Sequence, residues 1–177
     1  MLGAIGVVAG ISSGSGSPSH SPSPGAPLPA VTVSAPPHAK AFSAQCEKVL
    51  EQLPVQLHGL NPRVVHTTPD TPYVVAWGDP PVILRCGVDR PAALHPGATK
   101  QVISATGQQG PFFDVTHNGT DEVWTVIDRA VYISIAVPEK YASPPLPPLA
   151  RAIARALPPV CTTRYTAPLA QRCTRRP

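Results

Sequence analysis

Asp128 and Arg129 are adjacent charges set between two apolar runs, and Arg85 stands near the end of a third. An arginine presented from such a run can hold a carboxylate or phosphate through two parallel N–H donors. Should Arg85 and Arg129 converge on one sheet face, they make an anion site with Trp77 and Tyr132 as its walls. The enzymatic version of that site is a small hydrolase or transferase using Arg85, Asp128 and Arg129 around an anionic substrate. The structural alternative is a turn aspartate and an arginine paired with a neighbouring acid such as Asp79. Asp114 and His117 offer an acid–base pair by residue type, but strand alternation places them on opposite faces, which argues against it.

The six histidines, His20, His38, His58, His66, His95 and His117, form no HxxxH or HExxH pair, so no metal site is expected. The chain has no GxSxG elbow, P-loop or GxGxxG, and no cofactor or catalytic residue is implied. Asn118-Gly119-Thr120 matches a glycosylation sequon, but a hairpin turn explains these residues fully.

Around these residues the sequence predicts short strands. Tyr73–Trp77 and Val82–Cys86 are β-type runs joined by Gly78-Asp79-Pro80-Pro81, where proline removes a ladder donor and the chain reverses. A side-chain period of two puts Val82, Leu84 and Cys86 on the core face and Ile83 and Arg85 on the other. Gln101–Ala105 reads as a weak strand. Phe112–Thr116 and Glu122–Ile127 flank the Asn-Gly hairpin signal. Ala130–Val137 alternates cleanly, with Val131, Ile133, Ile135 and Val137 opposite Tyr132 and Ser134. One helix is predicted from a Ser43 N-cap to before Pro54, with Cys46, Val49, Leu50 and Leu53 as its stripe. A second spans Leu146–Leu157 and is stopped by Pro158-Pro159. The expected class is α+β: an antiparallel meander of about five to six strands with two helices packed on one face.

The formal charge of +4 is not a property of this domain. Residues 41–160 hold nine Lys and Arg against ten Asp and Glu, a net of −1. The excess lies in Lys40 and in Arg164, Arg172, Arg175 and Arg176 of a 161–177 tail that has no acids. Such a tail could touch an anionic lipid or polymer, while nucleic acid is not an expected partner. Residues 1–11 contain ten apolar residues, too few to span a bilayer, and read as a signal peptide or the remnant of an anchor. Residues 12–40, rich in Ser, Pro and Gly, read as a disordered spacer.

Four cysteines suit an oxidising compartment. Three pairings are possible. The apolar faces of the predicted helix and strand favour Cys46 with Cys86, leaving Cys161 with Cys173. In the chain-entropy model the first is worth about 4 kcal/mol and the second about 3 kcal/mol.

The segments CEKVLEQLP (Cys46–Pro54), AWGDPPVILRCG (Ala76–Gly87), DRAVYISIAVP (Asp128–Pro138) and LPPLARAIARALP (Leu146–Pro158) resemble a family of exported or membrane-anchored actinobacterial proteins known only as a domain of unknown function. The resemblance covers nearly all of residues 42–158. It implies export, a Cys46–Cys86 pair and an envelope setting, and it brings no activity. The resulting expectation is an extracytoplasmic protein, secreted or held at the cytoplasmic membrane by its N-terminus. It would bind an envelope component through one sheet face without catalysis.

Overall fold

The computed structural model describes residues 28–95, 100–103, 110–141 and 143–160. The chain runs β1 (Val31–Ser34), α1 (Ser43–Leu50), β2 (Pro62–Arg63), β3 (Val65–Thr68), β4 (Val74–Trp77) and β5 (Val82–Cys86). It continues through β6 (Gln101–Val102), β7 (Phe112–Asn118), β8 (Asp121–Val126), β9 (Ile133–Pro138) and α2 (Leu146–Ala156). This is the α+β class expected. Seven strands form an antiparallel sheet in the order β2-β4-β5-β9-β8-β7-β6, and β1 pairs in parallel with β3 as a separate ribbon.

The strand order is not the expected meander of five to six strands. The last strand, β9, inserts between β5 and β8. Its composition explains the position. Ile133, Ile135 and Val137 are buried on one face and Ser134 on the other, so both edges and both faces are best covered in the sheet's centre. The spacer reading is also corrected at its C-terminal end. Val31–Ser34 pairs with Val65–Thr68, so ordered structure begins before residue 41. Alternating Val31 and Val33 suit a strand, and Val65 onward supplies the partner.

Both helices pack on one face of the sheet. Cys46 and Val49 from α1, with Leu146, Leu149, Ala150 and Ile153 from α2, join Val82, Leu84, Ile133, Ile135, Val126 and Phe113 in one core. Phe113 and Trp124 meet edge to face, centroids 5.9 Å apart. The helix stripes are those read from sequence, with one local difference. The N-cap of α1 is Phe42 and Ser43 is its first helical residue, with no side-chain cap bond.

Cys46 and Cys86 are joined by a disulfide, with Cα atoms 5.7 Å apart. Both are fully buried, so the bond ties α1 to the strand below it. Cys161 and Cys173 lie outside the described residues, as do Arg164, Arg172, Arg175 and Arg176. Gly87 follows at once with φ +89°, and a Cβ there would come within 2.6 Å of the Ala39 backbone nitrogen. The close approach holds His38 N–H on the Gly87 carbonyl at 2.8 Å.

Candidate functional site

Directly opposite residues on antiparallel strands share a face, so register assigns every side chain to the helix layer or to the far side. The pairs Val75–Leu84, Leu84–Ile135, Trp124–Ile135 and Val115–Trp124 make one apolar row under the helices. One residue along, the pairs Arg85–Ser134, Thr125–Ser134 and Asp114–Thr125 make a polar row on the far face. It crosses four strands, β5, β9, β8 and β7. At about 4.8 Å per strand the Cα atoms of Arg85 and Asp114 stand about 14 Å apart.

This row leaves its bonding capacity unused. Asp114, Thr125 and Ser134 are all buried, yet none of their side chains finds a hydrogen-bond partner among the described residues. Asp114 Oδ2 and Arg85 Nε are shielded from water and unpaired. Arg85 keeps one bond, from Nη2 to the Ser34 carbonyl at 2.8 Å, which anchors the guanidinium to β1. Leaving such a buried group unmade costs about 1–3 kcal/mol each. Most buried polar groups in proteins are satisfied, so these two atoms stand out.

A groove of about 330 Å³ opens over Arg85, Ser134 and Thr125 of this row, while Asp114 does not line it. Arg85, Ser134, Thr125, Thr116 and Val123 form its floor, and Pro37, Val88 and Pro91 its wall. Arg90 and Asp89 stand at the rim. Arg90 Nη2 donates to the Leu94 carbonyl at 2.6 Å, and the Asp89 carboxylate is held by His38 Nε2 at 2.9 Å. The wall is fixed to the sheet because Gly87 and Val88 both donate backbone N–H to the Tyr132 carbonyl.

The five candidate residues do not converge. Arg85 lines the groove, but Arg129 and Asp128 do not. Asp128 is 3% exposed; Oδ1 accepts the Phe112 amide at 3.0 Å and Oδ2 accepts Arg129 Nη1 at 2.5 Å. Its carbonyl accepts the Val160 amide at 2.9 Å, so the pair closes the β8–β9 connection against the chain beyond α2. Burial pushes the Asp128 carboxyl up from its ordinary value, and the Arg129 charge and the Phe112 amide only partly offset this. That is the structural alternative, with Asp128 rather than Asp79 as the partner of Arg129.

Trp77 lies on the helix side and donates Nε1–H to the Val55 carbonyl at 3.1 Å. It walls no anion site. Tyr132 packs with Leu94, Ile127 and Phe112 in a small second cluster. Asp79 instead pairs with Arg63 at 3.2 Å, and its turn is strapped by Tyr141 Oη on the Pro80 carbonyl and Lys140 Nζ on the Asp79 carbonyl. A Cβ on Gly78 would meet Tyr141 Oη at 2.6 Å. The conspicuous Gly-Asp-Pro-Pro run therefore serves the fold.

Sequence reasoning missed Thr116, Thr125 and Ser134 as site residues. The available signal was the polar partner of each apolar residue in the alternating strands, but which polar residues align depends on register. His117 and Glu122 face each other across the β7–β8 hairpin at 3.9 Å and are well exposed. No group of three or more His, Cys, Asp or Glu among the described residues could hold a metal ion. None of the helices among those residues is long and apolar enough to cross a membrane.

An α+β domain with a disulfide under its helices and a polar groove on its far face defines the class of protein. The chain matches the family model described as protein of unknown function DUF3515 over residues 1–161, and it belongs to that family. Neither a curated protein nor a solved structure matches it.

Proposed function

We propose that this chain is an exported, non-enzymatic binding module that docks a component of the cell envelope on the sheet face opposite its helices. The observation that carries the reading is the open groove floored by Arg85, Ser134 and Thr125, with Arg85 Nε and the neighbouring Asp114 Oδ2 buried and unmatched. A buried disulfide supports folding in an oxidising compartment. The apolar stretch Leu2–Ile11 and the Ser/Pro/Gly tract after it fit export followed by a spacer. In this reading the helix layer supplies stability and the far face supplies contact.

Pull-down from envelope fractions tests the function. The full chain recovers a partner or wall polymer, and Arg85→Gln recovers much less. Equal recovery by both, or none by either, refutes the docking face. A phosphatase reporter fused at the C-terminus tests the location, because it is active only outside the cytoplasm. A fusion that works only in a cytoplasmic reporter format overturns export.

A further inference from the structure

The groove's chemistry narrows what it takes. Its floor combines one guanidinium with three hydroxyls, on Thr116, Thr125 and Ser134, all fixed on strands of one sheet. Hydroxyls both donate and accept, whereas a guanidinium only donates. Such a floor matches a ligand that presents many hydroxyls and one anionic group. An arginine beside hydroxyls recognises carboxylate or phosphate through charge-assisted bonds.

The wall adds a second requirement. Pro37, Val88 and Pro91 present C–H surface rather than donors or aromatic rings. This suits the C–H face of a pyranose better than a flat base. At the far end of the row Asp114 is 6% exposed, and its Oδ2 accepts from nothing. Asp114 lies outside the groove's lining, and its Oδ2 is shielded from solvent, so it is not a contact for a ligand there. The groove floor runs from Arg85 across Ser134 to Thr125, three adjacent strands, over about 10 Å. A monosaccharide spans roughly half of that length, so two sugar units match the floor.

We infer that the groove binds a saccharide of about two units whose carboxylate or phosphate sits at Arg85 and whose hydroxyls lie along Ser134, Thr125 and Thr116. This rests on the docking-face reading and specifies its ligand. Arg90 at the rim adds positive charge on the same side as Arg85, while Asp89 is engaged by His38.

Calorimetric titration of the full chain tests the inference with four probes: digalacturonic acid, glucose 6-phosphate, maltose, and an acidic peptide of similar charge. The expected result is binding of one or both acidic sugars at least about tenfold tighter than maltose, with the peptide weak. Which acidic sugar binds tells whether carboxylate or phosphate is the preferred anion. Arg85→Gln abolishes the preference for acid over maltose. Because Arg85 also anchors β1, Thr125→Val and Ser134→Ala provide a second route. Each weakens acidic sugar about threefold to tenfold while the melting curve stays in place. Equal affinity for maltose and the acidic sugars overturns the anion assignment. Peptide binding as tight as sugar binding, lost in the same variants, overturns the saccharide assignment. If none of the probes binds while envelope pull-down still depends on Arg85, the saccharide inference fails and the docking face stands. If pull-down is also lost, both fail.

Discussion

The two faces of the central sheet are made from the same residues of the same strands, taken alternately, and they differ in what is left unpaired. Under the helices, Leu84, Ile135 and Val126 are fully buried among apolar neighbours, and Trp77 finds a carbonyl for its only donor. On the far side, Arg85, Ser134, Thr125 and Asp114 occupy the intervening positions, and two of their buried atoms bond to nothing. The far face alone leaves buried atoms of its row unmatched. The main apolar core therefore lies on the helix side.

The largest expected effect comes from cutting the covalent tie on the helix side. Cys46→Ser opens a 40-residue separation closed by the disulfide, a loss of about 4 kcal/mol in the chain-entropy model. Against a typical stability of about 5–15 kcal/mol this lowers the melting temperature by roughly 10 °C or more. Thermal denaturation under non-reducing conditions checks it, with reductant giving the same shift in the wild type. A change of a degree or two would mean that packing alone holds α1 in place.

Next in size is a truncation in the row beneath α2. Ile135 is fully buried and faces Leu84 and Trp124 across the two neighbouring strands. Ile135→Ala removes three methyl or methylene groups and leaves a cavity, which costs about 2–5 kcal/mol. Chemical denaturation measures it directly. A value under about 1 kcal/mol would show that the helix layer collapses into the gap and that the packed face is looser than its burial suggests.

How far the faces could be read beforehand follows from what alternation encodes. Val82, Leu84 and Cys86 declared their side, and Ile133, Ile135 and Val137 theirs, because a period of two fixes faces within a strand. Cys46 on its helix stripe and Cys86 on its strand were the favoured of three possible pairings, and they meet. Strand order and register were not legible, because they depend on which strands become neighbours far apart in sequence. β9 sits beside β5 rather than at the end of a meander. For that reason Arg85 met Ser134 and not Arg129. The ribbon of β1 and β3 was hidden as well, since Val31–Ser34 sits next to a Pro/Ser-rich tract and is too short to stand out. Asp128-Arg129 drew attention by charge alone, and burial turned it into a structural clasp.

A pH series separates that clasp from the groove. Asp128 has its folded value raised above the ordinary 3.8 mainly by burial. A raised folded value means that its stabilising share is full below about pH 4 and declines as pH rises through the folded value. Asp128→Asn carries no titrating proton and lacks this decline. The stability of the wild type relative to Asp128→Asn should therefore fall as pH rises above the ordinary carboxyl value of 3.8. Denaturant midpoints at several pH values decide it, and a relative rise across that window would reverse the assignment of burial as the dominant cause.

The smallest expected effect is the one that most sharpens the contrast between faces. Ser134 is the neighbour of Ile135 in the same strand, equally central in the sheet and turned to the other side. Its hydroxyl has no protein partner among the described residues, so Ser134→Ala deletes a group without breaking a bond. Replacing an unmatched polar group by an apolar one is close to neutral, within about 0.5–1 kcal/mol in either direction. Thr125→Val has the same logic and nearly the same shape. Denaturation curves of the two variants should overlay the wild type, while the same variants lose ligand in the titrations described above. If Ser134→Ala instead costs as much as Ile135→Ala, the hydroxyl is holding the sheet together, and the far face is a second core rather than a surface for contact.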